Sequence, residues 1–227
     1  MEKFMSSDYT RAPIPLTPPT VSIASASDGL LKTSDLLRPI PVGVKVWEAA
    51  EPQYYFQLIL DGQLVGDIRP ITEADKVGDI IQVFLDENLF TANGNYLLSY
   101  MASSPFSESH VPSPELTLKV DRTKPGTTLL APLIFPSATF GEQLIGLLPG
   151  YAGMEPGDVI QTLLNGAEGP AHLVQPEELT LKPVEIAFTR EHLQAHAGET
   201  VSIKYFVTDR AGNVSITSLP TLVSIKL

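Results

Sequence analysis

Gln57-Leu58-Ile59-Leu60-Asp61-Gly62 returns 104 positions later as Gln161-Thr162-Leu163-Leu164-Asn165-Gly166. Each copy is an apolar run that stops at Asp-Gly or Asn-Gly, dipeptides that turn a β-hairpin. The correspondence extends outward from these stretches. Glu51-Pro52 recurs as Glu155-Pro156, and the stretch 84–89 as 188–193. Trp47 falls against Tyr151, Lys119 against Lys226, and Tyr100 against Tyr205 after a one-residue insertion. The chain therefore reads as one domain written twice.

Between the turn signals, short strand-like runs follow one another at roughly ten-residue spacing. Residues 20–24 alternate and predict a first strand. Residues 41–47 alternate with Val42, Val44 and Val46 on one face, and 54–60 form a more continuous apolar run. Strands are expected at 78–85, 95–101 and 115–120, with a compact corner at 86–94 closed by Gly94. The second half repeats the series at 143–149, 159–164, 184–189, 201–207 and 221–227, with its corner at 190–198. These readings predict an all-β chain of two tandem immunoglobulin-like Greek-key β-sandwiches. Residues 1–16 read as an extended Pro-rich arm, 17–121 as the first sandwich and 122–227 as the second. The joint, Val120-Asp121-Arg122-Thr123-Lys124-Pro125-Gly126, is short and carries a proline, which predicts an extended, restricted connection.

Composition agrees with this class and removes others. A hydrophobic fraction of 43% suits a folded core, and 20 prolines with 16 glycines suit many turns. The formal charge of −11, from 26 acidic and 15 basic residues, opposes binding to phosphate backbones, so no nucleic acid partner is expected. There is no cysteine, which excludes disulfides, thiolate nucleophiles and thiolate metal sites. No apolar run approaches the ~18 residues of a membrane span. The residues Met1-Glu2-Lys3-Phe4-Met5-Ser6-Ser7-Asp8 lack the apolar core of a secretory signal peptide. The sequence stops where a further Asp-Arg-Thr-Lys-Pro joint would begin, so the expectation is a piece, or the last repeat, of a longer array.

Two motifs carry a family resemblance. Tyr151-Ala152-Gly153-Met154-Glu155-Pro156-Gly157-Asp158 precedes a strand and Asn165-Gly166. Tyr205-Phe206-Val207-Thr208-Asp209-Arg210-Ala211-Gly212-Asn213-Val214-Ser215 is an aromatic strand running into a Thr-Asp-x-Ala-Gly-Asn turn. Together with the joint, these resemble the tandem bacterial immunoglobulin-like (Big-type) repeats of large surface and adhesin-like proteins, over about residues 17–227. The first half departs from the pattern, reading Ala102-Ser103-Ser104-Pro105-Phe106-Ser107 where the Asp-x-Ala-Gly-Asn turn would stand. The resemblance implies a non-catalytic module at the cell surface or outside the cell, acting as a spacer or in protein or glycan binding. It transfers no site residues. A structural component of a phage tail or injection-type particle is the alternative, where a missing signal peptide would be natural.

A few groups of residues offer candidate chemistry. His192 and His196 stand four apart, the spacing that puts two imidazoles on one helix face, with Glu191 beside them. No third ligand follows at recognisable spacing, so exposed surface histidines are the plainer reading. Asp121 at the joint and Asp209 in the turn are oxygen donors suited to Ca²⁺. That ion takes about six to eight oxygens and no Asp-x-Asp-x-Asp loop is present, so a linker charge and a turn former are the plainer roles. No Gly-x-Ser-x-Gly elbow or other triad pattern is present, and neither an enzyme nor a cofactor is expected. Tyr54, Tyr55 and Phe56 have no aromatic counterpart in the second half, where Asp158-Val159-Ile160 stands. If a face of the first half binds a partner they are its markers, although Tyr54 and Phe56 also suit the core.

Overall fold

The computed structural model describes residues 15–106, 109–136, 143–180, 182–194 and 200–224. They fall into two compact units, Met1–Leu31 with Asp35–Lys119, and Lys32–Ser34 with Val120–Leu227. The expected arm at 1–16 lies outside the described residues except for Pro15 and Leu16.

The first unit contains β1 (Leu30–Leu31), β2 (Ile40–Lys45), β3 (Tyr55–Leu60), β4 (Gln63–Pro70), β5 (Ile80–Leu85), β6 (Gly94–Ser103), β7 (His110–Pro112) and β8 (Leu116–Val120). One sheet runs β1-β8-β6-β3-β4 with β7 on β6, and the other pairs β2 with β5. The chain thus crosses between sheets after β1, after β2, after β4 and after β5, the wiring of an immunoglobulin-like sandwich. Both sheets turn apolar residues inward: Ile40, Val42, Val44, Ile81 and Leu85 from one, Phe56, Leu58, Leu98, Tyr100 and Leu118 from the other. Each such side chain contributes about 1.5–3 kcal/mol on burial. Tyr100 sits centrally, edge-on to Phe56 at 5.9 Å and stacked with Trp47 at 6.4 Å.

The second unit contains β9 (Gln143–Leu148), β10 (Val159–Leu164), β11 (Ala167–Leu173), β12 (Val184–Thr189), a helical turn α1 (Arg190–Gln194), β13 (Thr200–Thr208) and β14 (Thr221–Ser224). Its sheets are β11-β10-β13-β14 and β12-β9. Leu144, Ile160, Val184, Ile186, Phe188, Ile203 and Tyr205 meet in one core.

The structure explains the quoted repeat atom by atom. Asp61 and Gly62, and Asn165 and Gly166, all have positive φ, as a two-residue hairpin turn requires. The turn residue also extends the ladder on its other side. Asp61 Oδ1 accepts from the Leu97 amide at 2.8 Å, and Asn165 Oδ1 from the Ser202 amide at 2.9 Å. The glutamine four residues before serves a bulge. Pairing slips between Phe56 and Leu58, and between Gln161 and Leu163. There the amides of Gln57 and Gln161 donate to the carbonyls of Gly66 (2.9 Å) and Gly169 (2.8 Å). Gln, Asp or Asn, and Gly are thus each required by backbone geometry.

Four departures from the sequence reading have physical causes. Residues 21–24 form a turn rather than a strand, closed by Ala24 N–H to the Val21 carbonyl, and only Thr20 bridges to Gly43. The hairpin return strands β4 and β11 had no clear signal because they contain Gly66 and Pro70, and Gly169 and Pro170. Edge positions tolerate such residues, since an edge strand has one face of hydrogen bonds to spare. The two-residue β1 is too short to alternate. Last, Phe84 and Phe188 align in sequence but not in the pleat: Phe188 is 0% exposed and Phe84 is 61% exposed. In β5 the buried position at that end is Leu85, one residue on, and a one-residue shift turns every side chain to the other face.

Candidate functional site

The turn after β13 gathers the sequence's most distinctive polar residues. The Gly212 amide donates to the Asp209 carbonyl at 3.0 Å, with Gly212 at φ +86. Asp209 then holds Asn213 twice: Oδ1 accepts from the Asn213 amide N–H and Oδ2 from its side-chain Nδ2, both at 2.8 Å. The same Nδ2 donates to the Asp121 carbonyl at 3.0 Å. Asp121 uses its carboxylate locally, Oδ1 accepting from the Thr123 amide at 2.8 Å. The fold does bring Asp121 and Asp209 to one place. What joins them is the Asn213 side-chain amide, which donates both to the Asp121 carbonyl and to Asp209 Oδ2.

A second polar group lies at the start of β10. Asp158 is 1% exposed. Its Oδ2 accepts from the Tyr151 hydroxyl at 2.7 Å and from the Glu155 amide at 3.1 Å. Its Oδ1 is buried with no hydrogen-bond partner among the described residues. Burial pushes the Asp158 carboxyl above the usual carboxylate range, against the pull of those two donors, and the Asp209 and Glu155 charges add to the rise. Burial first, then the Asp158 carboxylate, pushes the Tyr151 hydroxyl far up as well. A tyrosine and a raised carboxyl are the parts of an acid–base pair. Both hydrogen bonds that Asp158 accepts come from residues just ahead of β10, Tyr151 and Glu155. The pair caps the entry to a strand.

Serines do similar work in both units. Ser113 Oγ accepts from the Tyr100 amide at 3.0 Å and donates to the Pro114 carbonyl at 2.9 Å. Ser218 Oγ accepts from the Tyr205 amide at 3.0 Å and donates to the Leu219 carbonyl at 3.0 Å. Ser215 repeats the device against Val207 and Ile216. The tyrosines themselves differ. Tyr205 donates its hydroxyl to the Ala131 carbonyl at 2.8 Å, and burial pushes that hydroxyl up to about 12. The Tyr100 hydroxyl is buried without a hydrogen-bond partner, the Thr17 hydroxyl being near enough only to offset part of the effect of burial. Glu178 is likewise occupied, accepting from His172 Nε2 at 2.9 Å and from the Gln175 amide at 2.7 Å. Burial would raise its carboxyl, but these donors together hold it below the usual range.

His192 is exposed on the helical turn, its amide and Nδ1 exchanging hydrogen bonds with Thr189. Its sequence partner His196 lies outside the described residues. Among the described residues no three His, Asp or Glu side chains come together as a metal site. Of the aromatic markers, Phe56 is buried on the inward face of β3. Tyr54 and Tyr55 are half-buried, and the Tyr54 ring lies against Phe106 at 6.2 Å.

The fold is all-β and immunoglobulin-like. No protein-family model matches the chain, and no curated protein matches it. Among solved structures it is similar to the fibronectin(III)-like modules of Clostridium thermocellum CbhA, at 14% identity over 92% of this chain and 94% of that one, TM-score 0.45. It is similar to a 1.5-MDa bacterial ice-binding adhesin at 14% identity, over 92% of this chain and 64% of that one, TM-score 0.46. It is also similar to the FN1–FN3 domains of chicken CNTN1 at 10% identity, over 95% of this chain and 66% of that one, TM-score 0.46. Among the described residues, no helix is long and apolar enough to cross a membrane.

Proposed function

We propose that this chain is a non-catalytic tandem immunoglobulin-like module of a bacterial surface, adhesin-like or secreted multidomain protein, which acts as a spacer or in binding a protein or glycan partner. The observation that carries this reading is the use of the same backbone devices in both units. The hairpin Asp or Asn, the bulge glutamine, and the serine facing each core tyrosine all recur. Duplication of framework residues, with side chains of chemical potential spent on capping and turns, is the pattern of a mechanical or docking element rather than an active site. The sequence resemblance to surface repeats supports an extracellular setting.

Single-molecule stretching of the full chain tests it. Two unfolding steps are expected, each releasing about 330–360 Å of contour for a unit of ~100 residues. One step releasing the whole chain at once would refute the tandem arrangement.

A further inference from the structure

We infer that the cleft between β4 and β5 of the first unit docks an extended, apolar segment of another protein that carries basic residues at both ends. This rests on the reading of the chain as a binding module. Strand β4 is the edge of the larger sheet and β5 the edge of the smaller, each hydrogen-bonded on one side among the described residues. Phe56, Leu58 and Val83 line the opening between them, which measures about 270 Å³. That lies just below the ~300–1,000 Å³ of small-molecule sites and suits a few side chains of a strand. Exposed Ile68 (57%) and Phe84 (61%) stand at its rim together with Asp67 and Arg69, whose guanidinium is held by Asp75 at 2.9 Å. The corresponding strand β12 turns Glu185, Ala187 and Thr189 outward instead. The greasy edge is thus particular to the first unit, and it exists because β5 is shifted by one residue in the pleat.

Charge selects the occupant. β5 reads Ile80-Ile81-Gln82-Val83-Phe84-Leu85 with no charge, where edge strands ordinarily carry one. Exposed Asp79 and Asp86 bracket it, followed by Glu87. Each bracket carboxylate is steadied by a backbone amide, Asp79 by Lys76 and Asp86 by Asn88, both at 2.9 Å. A second copy laid antiparallel on β5 would set Asp79 against Asp86 at both ends, and a parallel copy would set each against itself. Like charges directly opposite destabilise a pair of strands, and the −11 charge of the chain adds to the repulsion. A foreign strand ending in Lys or Arg converts both ends to attraction.

The test uses the full ¹⁵N-labelled chain and two synthetic peptides, Lys-Arg-Val-Thr-Val-Thr-Arg-Lys and its counterpart with Glu at the four charged places. The basic peptide is expected to shift amides of β4 and β5 and to bind at least about tenfold more tightly than the acidic one. Phe84→Lys, and separately Asp79→Asn with Asp86→Asn, should weaken it to a similar degree while leaving the remaining spectrum in place. Equal binding of both peptides, shifts confined elsewhere, no shift up to the solubility limit, or concentration-dependent self-association through β5 would overturn the inference. None of these outcomes touches the two-step stretching result, so the docking cleft and the module reading fail separately.

Discussion

Tyr100 and Tyr205 occupy matching places in the two cores, yet the same substitution should act on them in opposite ways. Both rings are fully buried. Tyr205→Phe removes a donor from the Ala131 carbonyl 2.8 Å away. A lost hydrogen bond with a half-buried acceptor left behind costs about 1–1.5 kcal/mol. For a unit of about 100 residues that is a fall of roughly 4–8 °C in its unfolding midpoint. Tyr100→Phe removes a hydroxyl that is buried with no partner. Taking out an unsatisfied donor recovers its desolvation cost, on the order of 1 kcal/mol, against a small loss of packing. The net change should be near zero or stabilising. Urea unfolding of the full chain distinguishes the two. Far-UV circular dichroism follows all strands, while Trp47, the chain's single tryptophan, lies 6.4 Å from the Tyr100 ring and reports the first unit. The Trp47 transition should be unmoved or shifted upward in Tyr100→Phe and unchanged in Tyr205→Phe. A loss above ~1 kcal/mol in Tyr100→Phe would refute the account of an orphaned hydroxyl.

Further outcomes are expected elsewhere. Asn213→Ala leaves the Asp121 carbonyl and Asp209 Oδ2 without the donor they share, and should lower second-unit stability by about 1–3 kcal/mol, read as a shift in the urea midpoint at constant slope. The raised Asp158 carboxyl contributes stability that is complete below its unfolded value of 3.8 and lost as pH rises through the folded value. Asp158→Asn should therefore flatten the fall in stability on going from acid toward neutral pH, and a profile identical to the unmodified chain would refute the burial argument. Glu178 has the opposite sign: its lowered carboxyl contributes stability above its unfolded value of 4.5, lost as pH falls through the folded value, and Glu178→Gln should remove that acid dependence. Since Asn213 already engages both Asp209 oxygens, Ca²⁺ should leave the thermal midpoint where EDTA leaves it. A rise of the order of 2.7 kcal/mol at a hundredfold excess would make Asp121 and Asp209 a metal site after all.

How much was legible in the sequence depended on how local the cause was. The Gln-to-Gly stretch could be read because a hairpin turn and its flanking strand are set within six residues, by positive φ and by alternation. The edge strands β4 and β11 could not, because glycine and proline weaken the pattern where solvent, not a neighbouring strand, takes up the spare hydrogen bonds. The role of Asn213 was hidden because the carbonyl it binds belongs to Asp121, 92 positions away in the chain. Phe56 proved to be the core residue that its place in an apolar run suggested, while Tyr54 and Tyr55 are half-buried.

By itself the sequence determined an all-β chain, its hairpin turns, the residues that repeat, and the absence of thiol chemistry, since these depend on composition and on neighbours along the chain. The tertiary structure alone decided which face of each strand is buried, which polar atoms find partners, and where an apolar edge is left open. Those follow from pairing register between distant strands, and a shift of a single residue, as at Phe84, changes the answer without changing the local sequence pattern.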